Sequence, residues 1–285
     1  MKASWRLWLS FGIVLWILFS ASCMQFRTST QKAERDFEGV GLELHGMQMP
    51  WSGGMVNAVW SGDTSKPWLC FLHGSPGGWP AFEDYLKDSA LREHFCMVAI
   101  DRPGFGYSNF GHPEPSLAKQ SEAMMTVLDS ILGPKNFILA GHSLGGPLAI
   151  KMAVLNPDRV KAAFILAGSV DPELEPREFF RPLLKKKVFK YLIPKSFWVS
   201  NYEIEELMGE LQTMEKEWVD IKCPVISIHG TKDSFVPIGN ADFMAKHLEN
   251  VAPYRDIRLE GKSHFIPWNS MDTIRQEFIN FVAHE

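Results

Sequence analysis

The chain has little cysteine, no large excess of charge of either sign and no recognisable metal or nucleotide motif. Its 285 residues include four cysteines, 29 Lys and Arg and 33 Asp and Glu, giving a net charge of −4. Such a chain has no global attraction for nucleic acid. It contains no Cys-x-x-Cys and no His-Glu-x-x-His, and the Gly-Lys-Ser at 261–263 lacks the earlier glycine of a phosphate-binding loop. The sequence therefore predicts no metal, no cofactor and no nucleic-acid partner.

The cysteines do not form the pattern of a disulfide framework. Cys70 and Cys96 lie inside apolar runs and Cys223 just precedes one, which is typical of cysteine used as a small buried hydrophobe. Setting Cys23 aside, the count is odd, and no secreted-type spacing occurs.

Residues 1–22 are predicted to be an export segment. Lys2 and Arg6 precede an uncharged run at 7–21, which would span about 22 Å as a helix, short of a bilayer core of roughly 30 Å. Residues 20–23, Ser-Ala-Ser-Cys, resemble a bacterial lipobox, in which Cys23 carries the lipid. Ordinary cleavage at the same bond and an uncut membrane anchor are the alternatives. We expect an exported, membrane-associated protein that faces the periplasm or the cell surface.

The rest of the chain predicts one α/β domain at 38–285, joined to the export segment by a linker at 23–37. Runs that are apolar throughout favour parallel strands buried on both faces, and helical patterns separate them. Ligands are expected at the carboxyl ends of such strands. An antiparallel pair is predicted at 40–47 and 55–62, a late strand at 255–261 and helices at 116–132 and 273–282. The five main runs lie at 68–74, 97–104, 137–143, 163–168 and 225–230.

Residues 169–220 interrupt the alternation of strands and helices. They form a stretch of about 50 residues, which is too long for an ordinary connection. We interpret this stretch as a short helical cap inserted over the site. Its basic and aromatic part at 177–195 is compatible either with a lid that meets an anionic membrane or with a solvated cap helix.

Ser143 is the candidate nucleophile. It lies in Gly-His-Ser-Leu-Gly at 141–145, between a strand-like run and a helix-like run. In a sharp strand-to-helix turn the two glycines relieve steric collisions and leave the serine hydroxyl exposed. The alternative is an ordinary tight turn.

A serine hydroxyl needs a base and a group that orients the base. Asp233 follows the run at 225–230, and His264 follows the late strand, so the chain order is Ser, acid, His. We predict that His264 takes the Ser143 proton and that Asp233 fixes the imidazole tautomer. Asp171 is the rival acid.

An anion pocket is the third requirement. We predict that it consists of the backbone N–H of Leu144 and that of Ser75 in the sequence His-Gly-Ser-Pro-Gly-Gly at 73–78. Gly74 is the nearest competing donor.

These segments together resemble the α/β-hydrolase superfamily. The resemblance is carried by HGSPGG, DRPGFGYS, GHSLGG, HGTKD and SHFIPW in the family's order, over roughly residues 38–284. It implies an α/β-hydrolase fold and a cofactor-free serine hydrolase acting on a small ester or acyl substrate. Ser143 stands where relatives acting on epoxides or haloalkanes carry aspartate, and a simple carboxylesterase requires the fewest departures.

The expected activity is cleavage of carboxylic esters, or of thioesters, through an acyl-enzyme. One alternative is an envelope acyltransferase, or a C–C or peptide-bond hydrolase, using the same residues. The other is a ligand-binding protein of this fold without catalysis.

Overall fold

The structure is a computed structural model that describes residues 2–283, apart from the side chains at positions 2–7, 13 and 21. Met1 of the predicted export segment and residues 284–285 of the predicted hydrolase domain lie outside the described residues.

A mixed eight-stranded sheet forms the centre of the described chain. Its strand order is β1-β2-β4-β3-β5-β6-β7-β8, with β1 and β2 antiparallel to their neighbours and the other strands parallel. The mostly parallel α/β sheet is therefore confirmed, although the first strand begins at His45 rather than near residue 40. The strands are β1 His45–Trp51, β2 Gly54–Ser61, β3 Trp68–Leu72, β4 Cys96–Asp101, β5 Phe137–His142, β6 Val160–Leu166, β7 Val225–Gly230 and β8 Tyr254–Leu259.

Helices cover both faces of this sheet. Among the described residues, two α-helices begin at a capping side chain: the Asp88 carboxylate accepts the Leu91 N–H at 2.9 Å, and the Ser29 hydroxyl accepts the Lys32 N–H. The α-helices are α1 Lys2–Ser22, α2 Thr30–Glu38, α3 Glu83–Lys87, α4 Ser89–His94, α5 Leu117–Leu132, α6 Gly145–Leu155, α7 Arg181–Leu184, α8 Lys195–Met214, α9 Gly239–Leu248, α10 Ile266–Asn269 and α11 Met271–Ala283.

The central strands are buried on both faces, which explains why their sequences are apolar throughout. Alternate residues of a strand point to opposite faces. In β3, Cys70 and Leu72 join one apolar cluster, whereas Leu69 and Phe71 join the cluster on the other face. The two layers of helices that flank the sheet follow from this double burial.

The segment between β6 and β7 is helical, as predicted for the cap. Its long helix α8 packs Trp198 and Val199 against Phe105, which lies in the loop after β4. This contact holds the cap over the carboxyl edge of the sheet. The segment comprises a 3-10 turn at Pro172–Leu174, α7, a 3-10 helix at Lys187–Tyr191, α8 and a 3-10 helix at Glu215–Asp220.

The second half of the predicted linker at 23–37 is helical, and two of its apolar side chains are buried. Helix α2 occupies Thr30–Glu38, and its Ala33 and Phe37 belong to the core cluster on one face of the sheet. Helix α1 before it contacts the cap, where the Trp16 indole N–H donates to the Leu192 carbonyl at 2.7 Å. No helix within residues 2–283 combines the length and apolarity needed to span a bilayer.

Candidate active site

Ser143 occupies a strained turn between β5 and α6. Its φ is +54°, a region that costs a non-glycine residue about 1–3 kcal/mol. Hydrogen bonds from the Ser143 N–H to Leu166 O (3.0 Å) and from the Gly146 N–H to Ser143 O (2.8 Å) hold this turn. A Cβ at Gly141 would lie 2.1 Å from the Gly145 carbonyl oxygen, and one at Gly145 would lie 2.2 Å from a β3 carbonyl oxygen. Both motif glycines are therefore required by the tight approach of backbone to backbone.

Asp233 and His264 meet at the same edge of the sheet. They follow β7 and β8, which are neighbouring parallel strands. His264 Nδ1 lies 2.7 Å from Asp233 Oδ2, and the Asp233 side chain is fully buried. The other oxygen, Asp233 Oδ1, accepts the N–H groups of Phe235 at 2.9 Å and Val236 at 2.8 Å. The carboxylate thus has a fixed orientation, with Oδ1 bonded to the backbone and Oδ2 facing His264, while His229 Nε2 lies 3.5 Å from Oδ2.

Electrostatics favour the ionised form of Asp233. Burial opposes ionisation, but hydrogen bonds from His229, His264 and the Val236 N–H outweigh it and hold the pKa of Asp233 below its usual range. An ionised carboxylate at Nδ1 keeps the proton on that nitrogen, so that Nε2 of His264 is free to accept one.

Ser143 and His264 line one cavity. In the described part of the chain, the Ser143 hydroxyl makes no hydrogen bond to the His264 ring. Hydrogen bonds of this kind often tighten only when substrate binds.

His142 holds the backbone of His264, since its Nε2–H donates to the His264 carbonyl at 3.1 Å. Burial, followed by the charge of His264, lowers the pKa of His142 to about 3, so His142 is neutral and packs against Trp268.

The two predicted anion donors also face this cavity. Ser75 and Leu144 line it, and within the described chain neither backbone N–H has a hydrogen-bond partner. The loop approaches Ser143 closely, because a Cβ at Gly74 would lie 3.0 Å from Ser143 Cβ. Asp171, the rival acid, instead accepts the Glu173 N–H at 2.9 Å and caps a 3-10 turn.

The cavity has a volume of about 660 Å³ and is mainly apolar. One wall comes from the N-terminal segment, where Phe26 packs near Phe197 of the cap, with ring centroids 6.2 Å apart. The linker prediction missed Phe26, because a single aromatic residue in a short segment carries no periodic signal. A polar corner contains Glu175, which bonds to the Ser169 hydroxyl and whose pKa is raised by burial.

No group of three or more His, Cys, Asp or Glu side chains in the described part of the chain could hold a metal ion. Cys23, the predicted lipid-attachment residue, follows the end of α1 and is partly exposed. Cys70, Cys96 and Cys223 are buried free thiols.

Comparisons with known proteins agree with this fold. The family model for the alpha/beta hydrolase fold matches residues 67–191. A pimeloyl-[acyl-carrier protein] methyl ester esterase of Pseudoalteromonas atlantica is 36% identical over 109 residues, or 37% of this chain and 38% of the relative. The human mitochondrial palmitoyl-protein thioesterase ABHD10 is 28% identical over 182 residues, or 60% of this chain and 56% of the relative. The alignment thus spans less than two thirds of each relative's length.

A solved structure extends the likeness in fold to the entire chain. The crystal structure of a membrane phospholipase A, described as a bacterial virulence factor, superposes with a TM-score of 0.67 and covers 100% of this chain and 99% of that one at 19% identity. The family model, this superposition and the eight-stranded sheet lead to one conclusion: the chain has the α/β-hydrolase fold.

Proposed function

We propose that the protein is a serine hydrolase that cleaves carboxylic esters, or thioesters, through an acyl-enzyme. One observation carries the proposal: a strained serine and a histidine fixed 2.7 Å from a buried carboxylate line the same cavity. The relatives named for ester and thioester hydrolysis support it.

In the proposed mechanism Ser143 Oγ attacks the acyl carbon while His264 Nε2 takes its proton. The carbonyl oxygen becomes an oxyanion that accepts the free N–H groups of Ser75 and Leu144. Collapse of this intermediate breaks the bond to the leaving group, which receives the proton from His264. Water then repeats the sequence and releases the acid, with Asp233 stabilising the imidazolium in both halves.

The apolar cavity suits an acyl chain better than a charged substrate. Its volume of about 660 Å³ lies within the usual range for small-molecule sites. The leaving oxygen or sulfur would depart beside His264. We therefore propose a small or medium-sized acyl group as the part of the substrate that enters the cavity.

The test compares Ser143→Ala with Ser169→Ala, a variant of another serine that lines the cavity. We expect Ser143→Ala to lose about 10⁶-fold in kcat on p-nitrophenyl esters and all labelling by a fluorophosphonate, whereas Ser169→Ala stays labelled. Undiminished turnover by Ser143→Ala would refute the proposal. An unlabelled, inactive wild type would instead favour a ligand-binding protein, and partition of the acyl group to added glycerol would favour an acyltransferase.

We further propose that the enzyme works while exported and attached to a membrane surface, through a lipid on Cys23 or through α1. Apolar side chains of α1 are largely exposed, with Trp8 at 72% and Leu18 at 60%. The neighbouring cap segment exposes Val188 (57%) and Tyr191 (62%) among lysines. Exposed apolar residues interleaved with cations favour an anionic lipid surface.

Vesicle flotation tests this second proposal. Full-length protein should float with anionic phospholipid vesicles, and Val188→Glu/Tyr191→Glu should float less while hydrolysing soluble esters normally. Leu155→Glu is the matched control, since Leu155 is 49% exposed but ends α6, which runs away from the site. Equal flotation of all three proteins would contradict a role for the cap surface, and mass spectrometry of the N-terminus would show whether Cys23 is lipidated.

A further inference from the structure

A buried ion pair lies between the cap and the loop that carries Ser75. Arg102 follows β4 and Glu203 lies on α8, 101 residues later. Their side chains are 0% and 1% exposed. Arg102 Nη1 lies 2.7 Å from Glu203 Oε1 and Nη2 lies 3.0 Å from Oε2, a bidentate arrangement. Gln120 of α5 bonds to both partners, at 2.9 and 3.0 Å.

The same guanidinium group holds the backbone of the loop. Arg102 Nε donates to the His73 carbonyl at 2.8 Å, and Nη2 donates to the Gly74 carbonyl at 3.1 Å. The Gly74 oxygen also accepts His73 Nδ1–H at 2.7 Å. This tautomer of His73 is fixed because its Nε2 accepts the Arg102 backbone N–H at 2.9 Å. The Gly74 carbonyl oxygen therefore accepts two hydrogen bonds, one from Arg102 and one from His73.

The planarity of the peptide bond converts this contact into an orientation of Ser75. The carbonyl of Gly74 and the N–H of Ser75 belong to one peptide group, and in a trans peptide they point in opposite directions. The cis peptide in this loop is the next one, Ser75–Pro76. Fixing the Gly74 oxygen against Arg102 thus directs the Ser75 N–H away from the ion pair. Hydrogen bonds to a carbonyl also polarise the N–H of the same group.

The cap contributes a second attachment to this peptide. The Ser75 hydroxyl donates to Glu203 Oε2 at 2.7 Å, so a carboxylate on the cap bonds both to the residue that donates the N–H and to the arginine that orients it. Removing Glu203 would leave the Arg102 charge buried without its main partner.

We propose that Glu203 and Arg102 are positioning residues that set the direction of the Ser75 N–H, so that the anion pocket is complete only when the cap is seated on the loop. This inference rests on the proposed function and assigns a catalytic consequence to a contact between the cap and the sheet domain. Neither residue touches the reacting atoms. Both act through the peptide between Gly74 and Ser75.

The experiment uses the full chain with Glu203→Gln, which keeps the size of the side chain but removes its charge. The matched control is Glu206→Gln on the same helix, where the carboxylate is 48% exposed and pairs with Lys185. Because losing a whole oxyanion donor costs about 10²–10³ in kcat, misdirecting one should cost about 10- to 100-fold. We expect that loss in kcat for Glu203→Gln, with KM changed less than about threefold, and wild-type kinetics for Glu206→Gln.

A trifluoromethyl ketone analogue of the ester provides a readout specific to the oxyanion. Its adduct with Ser143 carries the same oxyanion, so its inhibition constant should rise by the factor by which kcat/KM falls. An unreactive ether analogue should bind with unchanged affinity. Equal weakening of both analogues, or an unchanged kcat, would overturn the inference while Ser143 labelling still supported the proposed function.

Ser75→Ala covers the case in which Glu203→Gln does not fold. It keeps the backbone N–H and the buried ion pair but removes the bond between the loop and the cap. We expect a smaller loss in kcat, of about three- to tenfold. The inhibition constant of the ketone should rise by the same factor, whereas the affinity for the ether should not change. A wild-type inhibition constant for the ketone in Ser75→Ala would contradict a role for the cap contact.

Discussion

Asp233→Asn tests whether a carboxylate selects the tautomer of His264. In the structure Asp233 Oδ1 accepts two backbone N–H groups, at 2.9 and 2.8 Å. An asparagine would keep its oxygen at those two donors and turn its NH₂ group toward His264 Nδ1, which now lies 2.7 Å from Oδ2. That nitrogen would have to become an acceptor, and the proton would move to Nε2. His264 would then be unable to take the proton from Ser143.

The expected loss is about 10⁴-fold in kcat, or about 5 kcal/mol in the activation free energy, with the substrate bound nearly as well. Initial rates on p-nitrophenyl esters between pH 6 and 9 measure it, and a thermal melt checks that the variant folds. Asp171→Asn is the control, because Asp171 caps a 3-10 turn and should leave kcat within about threefold. If the folded Asp233→Asn enzyme kept kcat within tenfold of wild type, the acid would be misassigned. The same conclusion would follow if Asp171→Asn lost more kcat than Asp233→Asn.

Two further predictions concern residues that surround the nucleophile. His142 has a pKa of about 3 in the folded chain, against 6.5 for an exposed histidine. Between these pH values the native state binds fewer protons than the unfolded state. The stabilisation that the neutral ring provides, which is complete above pH 6.5, is therefore lost as the pH falls toward 3. Between pH 7 and pH 4, denaturant titrations should show that the free energy of unfolding of the wild type falls by about 3 kcal/mol more than that of His142→Gln. Equal decreases in the two proteins would contradict this linkage. Gly145→Ala, whose Cβ would lie 2.2 Å from Leu72 O, should cost at least about 2 kcal/mol and abolish activity. Gly209→Ala, with open space inside α8, should raise the melting temperature, and equal melts for the two variants would refute the steric argument.

Those features that depend on local sequence were predictable. The apolar strands, the turn at Ser143 and the segments carrying Asp233 and His264 each have a signature within about ten residues. Parallel strands bring their carboxyl ends to one edge, so the meeting of Asp233 and His264 follows from the fold itself. The strand bounds differ by a few residues, as at β1, because the ends of a strand depend on its partner rather than on its own composition.

Features that depend on long-range packing were not predictable. Nothing near Glu203 distinguishes it from the exposed Glu206 of the same helix, and only the fold shows that it meets Arg102 from 101 residues away. Phe26 reaches the cavity because α2 packs on the sheet and returns the preceding chain to the site. In both cases the decisive partner lies far along the chain.

Three histidines line the cavity, and the structure separates their roles by burial and hydrogen bonding. His73 and His142 each donate to a backbone carbonyl, and burial lowers the pKa of both, so they remain neutral and structural. His264 alone of the three has a carboxylate at Nδ1, and that carboxylate is itself held ionised by backbone and imidazole donors. A negative charge that faces an imidazolium stabilises it. The proposal of His264 as the base therefore depends on Asp233 rather than on nearness to Ser143, since His142 is adjacent to Ser143 in the chain.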